Sequence, residues 1–571
     1  MRRRVHSLRR ALRHEEGFTM VTVLGAMLVV LMASAAAIGA ATSDLGGGAR
    51  DKATKQALSA AEAGINDYSY HLTLNNNYWS LCEDVPDPAK VGQANATLKW
   101  RGLPGTNAQY AIELLPANGQ ARCERTNASG TMIDASTGTF RIRTTGRVPT
   151  GKNSAGVTTY ATRTLVTTYR RKGFLDFLYF TNYETSDPAW YKLETGGRAT
   201  RNNSSDSSTT RLLDWATANC ATYYRDGRAS RSWSGQINTS GTNWANKSNV
   251  RCNEIQFASD DEVKGPLHTN DSLLVCGTPT FGRNSTELIE VEAQTSSLGG
   301  AWRENCSGSD PNFVGTLRPG ATHLEPPTSN SSLKTTVAPA YFFTGATRIV
   351  LNATTDKMTV TNRDFGTRIL DFPSNGVVFV ADGTQGCGSQ YDPLNPSTYD
   401  TTATRGCGNA FVKGSYGKDL TIAAESDVVI EGGITKANDR VLGLIANQFV
   451  RVQHPVTNFN SSISSGGNVS TSCTNVNSNA SLRIDAAILA LNHSFTVDYY
   501  FCGSPLGTLT VDGVIAQKFR GPVGTGSGGG IATGYIKNYI YDNRLSLRQP
   551  PHFLDPVQAS WRVTRQTEQA R

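Results

Sequence analysis

An uncharged apolar run, Phe18 to Ala41, constrains this chain more than any other part of its sequence. It has 24 residues, and as a helix it would be about 36 Å long, enough to cross a bilayer core of about 30 Å. Six arginines and two glutamates precede it, so residues 1–17 carry a formal charge of +4. The positive-inside rule keeps such a leader in the cytoplasm. The run therefore predicts a single-pass membrane anchor, with the bulk of the chain extracytoplasmic.

A cleaved secretory signal peptide is the alternative that shares the basic start and the apolar middle. Small residues at 33–35, Ala-Ser-Ala, would suit a signal peptidase. However, the run is longer than the roughly 7–15 apolar residues of an ordinary signal core. The border between charged and apolar sequence also lies at Gly17 and Phe18, where an ordinary signal has no cleavage site.

The residues Glu16-Gly17-Phe18-Thr19, followed by a long apolar run, resemble the class III signal of type IV prepilins. The resemblance implies that a prepilin peptidase cuts between Gly17 and Phe18, that Phe18 is then N-methylated, and that the apolar helix stays in the mature protein. The fifth mature position, usually Glu in major pilins, is Thr22 here. This departure favours a minor pilin over a subunit of the fibre shaft.

A second match follows at residues 57–65, ALSAAEAGI, which resemble the AEAG signature of PilX-like minor pilins. Small and apolar residues recur here at spacings of three and four, which predicts that the helix resumes after a bend at Gly46 to Gly48. Beyond it, alternating apolar and polar residues predict an antiparallel sheet, with strands near 95–101, 109–115, 139–148 and 159–171. Pilins share this architecture of a long amino-terminal helix and an antiparallel sheet.

From Glu262 onward, short apolar runs such as DVVIEGGI and VDGVIAQ recur without helical segments between them. Their spacing predicts a parallel β-helix, in which each coil buries its inward residues against the next. A β-sandwich would show the same strands. The predicted fold class is therefore an α+β pilin-like N-terminal region followed by a mainly-β domain.

The predicted domains follow the chain in order. They are a basic prepilin leader at 1–17, a transmembrane or pilin helix at 18–45, a pilin-like helix continuation and antiparallel sheet at 46–171, an aromatic docking strand and disulfide-stapled loop region at 172–261, a β-helix-like domain at 262–560, and a flexible tail at 561–571.

Ten cysteines all follow the apolar run, and an even number in an exported region predicts disulfides. We expect neighbours in sequence to pair, each bond contributing about 3–4 kcal/mol in the chain-entropy model. There is no CxxC motif, so the sequence gives little support for a zinc ribbon or a redox site. The candidate disulfide residues are Cys82, Cys123, Cys220, Cys252, Cys276, Cys306, Cys387, Cys407, Cys473 and Cys502.

The sequence gives only weak support for any catalytic residue. His268 and Asp271 lie close together in VKGPLHTNDSL, but this segment also reads as a turn. The string GTGSGG lacks the following helix that phosphate binding needs. The carboxylates that a polysaccharide-active enzyme would use are scattered without a repeated offset: Asp371, Asp382, Asp419, Asp427, Asp485 and Asp512. We predict no enzyme activity, no catalytic or metal-binding residue and no cofactor.

The predicted function is that of a minor type IV pilin-like or pseudopilin-like component, anchored in the membrane and displayed outside the cell. Its expected partners are prepilin peptidase, other pilins or pseudopilins, the lipid bilayer and, at the β-domain, a surface glycan or a host or abiotic surface. No specific nucleic acid is expected, because no basic run with interleaved aromatics follows the leader. Two alternatives stay open: a membrane-tethered β-helix adhesin or glycan-binding protein that does not polymerise, and a polysaccharide-active β-helix enzyme.

Overall fold

A computed structural model describes most of the chain. Gly17, Phe18, Cys220 and Cys252 lie outside the described residues, so the predicted cleavage site and one predicted cysteine pair have no structural account. The described residues are 19–82, 98–117, 119–134, 137–187, 193–195, 198–200, 255–259, 261–293, 300–304, 306–384, 386–387, 391, 406–463, 469–476, 480–527, 530–557 and 561–569.

The described ranges contain two α-helices and 34 strands. The helices are α1 (Thr19–Leu74) and α2 (Ala128–Met132). The first strands are β1 (Arg101–Gly102), β2 (Gln109–Leu115), β3 (Thr139–Lys152), β4 (Thr158–Arg171), β5 (Tyr179–Ser186), β6 (Leu193–Thr195), β7 (Arg198–Thr200), β8 (Glu262–Lys264), β9 (Leu267–Thr269), β10 (Leu273–Val275), β11 (Thr280–Phe281), β12 (Leu288–Val291), β13 (Trp302–Glu304), β14 (Asn312–Phe313), β15 (Thr316–Pro319), β16 (Phe342–Thr344) and β17 (Thr347–Asn352).

The remaining strands are β18 (Lys357–Asn362), β19 (Gly366–Asp371), β20 (Val377–Ala381), β21 (Ala410–Tyr416), β22 (Leu420–Ala424), β23 (Val428–Lys436), β24 (Leu442–Ala446), β25 (Val450–Val452), β26 (Val456–Ile463), β27 (Val469–Asn475), β28 (Arg483–Ile484), β29 (Ala487–Ala490), β30 (Phe495–Val497), β31 (Pro505–Arg520), β32 (Gly524–Ser527), β33 (Gly530–Tyr541) and β34 (Trp561–Glu568).

The chain divides into two compact units. Unit 1 comprises Met1–Ile133, Phe140–Tyr169 and Val563–Arg571, and unit 2 comprises Asp134–Thr139 and Arg170–Arg562. The segment predicted as a flexible tail is thus largely strand β34, which is a member of the five-stranded sheet of unit 1.

Unit 1 is built from α1 and a sheet with strand order β1-β2-β3-β4-β34. In β3, alternate residues from Phe140 to Val148 are buried, as expected for a strand with one covered face. The face of α1 that packs on this sheet is formed by apolar residues that recur at helical spacing. Its buried residues are Ala53, Ala57, Ala60, Ala61, Ile65, Tyr68 and Leu72.

A glycine sets how closely α1 approaches this sheet. A Cβ atom at Gly146 would lie 1.9 Å from the carbonyl oxygen of Ala57 and 2.5 Å from the backbone nitrogen of Ala61. No side chain fits into that space, so the helix backbone lies directly on strand β3. On the helix itself, alanines at 57, 60 and 61 keep the same contact free of bulk.

Unit 2 is dominated by a sheet of 23 strands. One series of parallel pairings runs β16-β20-β22-β24-β29-β31-β5-β9-β12-β15. A second runs β17-β21-β23-β28-β31-β33-β8-β11-β14. Strands β20, β22 and β24 have every residue buried, which explains their unbroken apolar sequences, because parallel strands are covered on both faces.

The fold-class prediction, an α+β pilin-like region followed by a β-helix or a β-sandwich, is wrong for the chain as a whole. The described chain is mostly β, and most of its strands belong to one large curled sheet. Antiparallel hairpins extend the parallel series, at β17-β18-β19 and at β32-β33. Strand β5, which lies in the segment predicted as a docking strand, is within the large sheet between β31 and β9. Such long-range pairings leave no local pattern in the sequence.

The predicted single-pass localisation, with a cytoplasmic N-terminus, is also corrected. Among the helices that the structure describes, none combines the length and the apolar character needed to cross a membrane.

Candidate functional site

The amino-terminal part of α1 presents large apolar side chains without a covering layer. Val23 and Leu24, and every residue from Met27 to Met32, are between 52% and 69% exposed. No charged residue lies between Phe18 and Ala41. Contiguous exposed apolar surface of this kind is typical of an interaction site. We name residues 23–32 the apolar segment.

The carboxyl-terminal part of α1 is held firmly by polar contacts at the rim of its packed face. Asp67 accepts hydrogen bonds from Arg101 at 2.9 Å and from the Tyr110 hydroxyl at 3.2 Å. The hydroxyls of Ser69 and Tyr169 lie 2.8 Å apart, and burial raises the pKa of Tyr169 to about 12. The fixed half of the helix therefore positions the apolar segment that precedes it.

Aromatic rings complete this attachment. Tyr68 packs against Phe140 and Tyr169 with ring centroids about 6 Å apart (6.1 and 6.0 Å). Phe140 and Tyr169 are stacked at 5.1 Å. Offset and tilted pairs at these distances add to the free energy gained by burial alone.

Disulfides join four of the predicted neighbour pairs. They are Cys82–Cys123, Cys276–Cys306, Cys387–Cys407 and Cys473–Cys502. The first closes the segment that follows α1 in unit 1, and the other three lie in unit 2.

His268 is fully buried and bonded at both ring nitrogens. Its Nδ1 lies 2.9 Å from Glu290 Oε2, and its Nε2 lies 3.0 Å from Asn270 Oδ1. Lys172 donates to Glu290 at 2.7 Å. Burial disfavours the Glu290 carboxylate, but the hydrogen bonds from His268 and Lys172 outweigh it, and the pKa of Glu290 falls to about 2. Both ring nitrogens of His268 and both carboxylate oxygens of Glu290 therefore have hydrogen-bond partners within the protein.

Asp271, the other residue of the predicted pair, points to different partners. Its Oδ2 accepts from the backbone nitrogen of Glu184 at 2.9 Å, and its Oδ1 accepts from Ser272 at 2.8 Å. Burial raises its pKa to about 7. The structure therefore gives His268 and Asp271 separate hydrogen-bond partners.

Sequence reasoning missed Lys172, Glu184 and Glu290. The register explains how His268 meets Glu290, because β5, β9 and β12 are parallel neighbours and place Phe180, His268 and Glu290 side by side. These three positions are far apart in sequence. Only knowledge of the strand pairing would have revealed them.

The scattered carboxylates pair individually with cations or backbone groups. Asp371 accepts from Lys357 at 2.6 Å, and Asp382 accepts from the Gly408 nitrogen at 2.6 Å. Asp419 bonds Arg548 and the Val441 nitrogen. Asp427 accepts from Arg451 at 2.9 Å.

The last two of these carboxylates, Asp485 and Asp512, share Arg483 as a partner. In the part of the chain that the structure describes, no group of three or more His, Cys, Asp or Glu side chains is arranged to hold a metal ion. The string GTGSGG begins as strand β32 of an antiparallel hairpin.

No protein-family model matches the sequence, and no curated protein matches it. Among solved structures, the chain is a distant match to a pilin, the crystal structure of the competence-associated pilin ComZ from Thermus thermophilus. The sequence identity is 11%, the TM-score is 0.27, and the alignment covers 90% of this chain and 97% of that chain.

Proposed function

We propose that this chain is a minor pilin-like subunit that joins a fibre of other pilins through the apolar segment of α1. The observation that carries the proposal is the exposure of Val23 to Met32 in an uncharged run that begins at Phe18, directly after Gly17. The prepilin-like and PilX-like sequences at 16–19 and 57–65 support the same function.

Assembly through this segment has a simple physical basis. Burying the apolar side chains between neighbouring helices removes them from water at about 25 cal/mol per Å². Because the carboxyl half of α1 is already committed to the sheet of unit 1, only the amino-terminal half is available for this packing. The large sheet of unit 2 is then the part that the fibre displays, for adhesion or secretion.

Thr22 restricts the position in such a fibre. A shaft subunit of this family is expected to carry Glu at that position, paired with the terminal amine of a neighbour. Threonine can offer a hydroxyl but no charge. We therefore place this subunit at an end of the fibre or at low stoichiometry within it.

The test combines processing with contact mapping in cells that make the whole pilin system. A photo-crosslinking residue at Leu28 should give adducts with other pilins. The same residue at Lys55, which lies on α1 beyond the apolar segment and is 75% exposed, should give few. Amino-terminal sequencing should find N-methylated Phe18, and deletion of the prepilin peptidase should leave residues 1–17 attached.

A chain that begins elsewhere, together with equal adduct yields at positions 28 and 55, would contradict the proposal. The variant Leu28→Lys should also lower incorporation into fibres at least tenfold, because a charge in a helix–helix contact must be desolvated. Lys55→Gln is the matched control and should incorporate normally.

A further inference from the structure

Two edge strands of the large sheet, β15 and β19, differ in how their edges are protected. Strand β15 ends in Pro319, which has no N–H to offer to a further strand. Strand β19, an edge strand of the second parallel series, pairs only with β18 among the described residues. It contains no proline, and its charged residues are Arg368 and Asp371. The backbone along its outer edge therefore has no strand partner in the part of the chain that the structure describes.

The outer face of β19 carries Thr367, Ile369 and Asp371. They lie opposite Thr361, Thr359 and Lys357 of β18. The Thr361 and Thr367 hydroxyls are 2.9 Å apart, and Lys357 donates to Asp371 at 2.6 Å. Ile369, between them, is 69% exposed.

This outer face is complementary to itself. When an edge strand pairs antiparallel with a copy of itself, directly opposite residues have their side chains on the same face of the sheet. Because successive side chains alternate between the two faces, a residue lies opposite itself or opposite a residue an even number of positions away. With Ile369 on the two-fold axis, Thr367 lies opposite Asp371 of the second copy. The threonine hydroxyl can donate to that carboxylate, and the two isoleucines cover each other.

We propose that β19 is a self-association edge, at which two copies of this chain pair antiparallel about Ile369. The occupant is a second copy because the donor at 367 and the acceptor at 371 are spaced symmetrically about the exposed isoleucine. The proposal does not depend on the function of the apolar segment. It adds a contact between unit 2 of one copy and unit 2 of another.

The variant Ile369→Cys tests this pairing in the full-length chain. Two cysteines facing each other across the axis should form a reducible dimer in most molecules under mild oxidation, because paired strands bring the Cα atoms to about 4.5–5.5 Å. Thr359→Cys is the matched control on the same face of the adjacent strand. Its two copies would lie about 14 Å apart, three strand spacings, and should not crosslink.

The register has its own test. Mixing Thr367→Cys chains with Asp371→Cys chains should give a mixed disulfide, and neither variant alone should dimerise. A dimer from Thr367→Cys alone, equal yields from positions 369 and 359, or capture of a different protein at position 369 would each overturn the proposal.

Reversible association gives a second measurement. Ile369→Lys should weaken self-association at least tenfold in sedimentation experiments, whereas Ile536→Lys, at a 41% exposed position on interior strand β33, should leave it unchanged. Association through α1 is the same in both variants. If both variants weaken self-association equally, the edge of β19 is not the contact between copies, whatever the outcome of crosslinking at Leu28.

Discussion

The two units fill their interiors in different ways. Unit 1 brings a helix backbone against a strand at Gly146, and its covered face is mainly apolar. Unit 2 buries charged groups among its parallel strands, where Arg451 of β25 lies between Asp427, which precedes β23, and Asp498, which follows β30, at 2.9 Å from each. Charged groups that strand register brings together inside such a stack lose contact with water and must be paired. We therefore expect added volume at Gly146 to destabilise unit 1, and lost charge at Arg451 to destabilise unit 2.

The largest effect is expected from Arg451→Met. The side chain of Arg451 is fully buried, its guanidinium stacks at 4.1 Å from the centroid of Tyr391, and the Tyr391 hydroxyl donates to Asp498 at 2.6 Å. Methionine would leave two buried carboxylates without their cation, at a cost of about 3–5 kcal/mol. Hydrogen exchange resolved by peptide should show the loss in β23, β25 and β30.

Arg163→Met is the control for that comparison. Arg163 donates to Glu568 at 2.9 Å in unit 1, but both side chains are nearly half exposed (44% and 45%). An exposed pair contributes at most about 1 kcal/mol. If Arg451→Met and Arg163→Met lose similar amounts of stability, buried charge pairs do not distinguish unit 2 from unit 1.

The second prediction concerns Gly146→Ala in unit 1. The new methyl group would lie 1.9 Å from the Ala57 oxygen, so either α1 or β3 must move. Overpacking of this kind costs about 1–3 kcal/mol. Faster hydrogen exchange is expected across 57–65, with unit 2 unchanged.

Gly102→Ala provides the matched control, since a Cβ atom there meets nothing within 4 Å. It should leave exchange in 57–65 as it is in the unmodified protein. If Gly146→Ala has no larger effect than this control, the close approach of α1 to β3 is not what stabilises unit 1.

How much the sequence could predict also differs between the units. The alternation over 139–148 anticipates the buried face of β3, and the spacing over 53–72 anticipates the packed face of α1, because both patterns are local. The apolar segment can also be recognised from the sequence, but its exposure can be read only from the structure. In unit 2, the apolar runs predict strands but not their partners: β5 pairs with β31, and His268 meets Glu290, only through register.

The third prediction, and the most specific to unit 2, is a dependence of its stability on pH through Asp271. Burial raises the pKa of Asp271 from its ordinary value of 3.8 to about 7. The folded protein then holds a proton that the unfolded chain releases above about pH 4. The stabilisation is complete below pH 4 and is lost as the pH rises to about 7, at no more than about 1.4 kcal/mol per pH unit.

Asp271→Asn should flatten this slope, because an amide does not titrate. The substitution replaces one oxygen that accepts a backbone hydrogen bond, a cost that is the same at every pH, so the slope rather than the absolute stability is the measurement. Urea unfolding between pH 4.5 and 7.5, followed by hydrogen exchange in β9 and β5, reports it. Asp310→Asn, at an exposed position of the same unit, should keep the original slope. An unchanged slope in Asp271→Asn would show that Asp271 ionises freely in the folded protein and that unit 2 tolerates the charge.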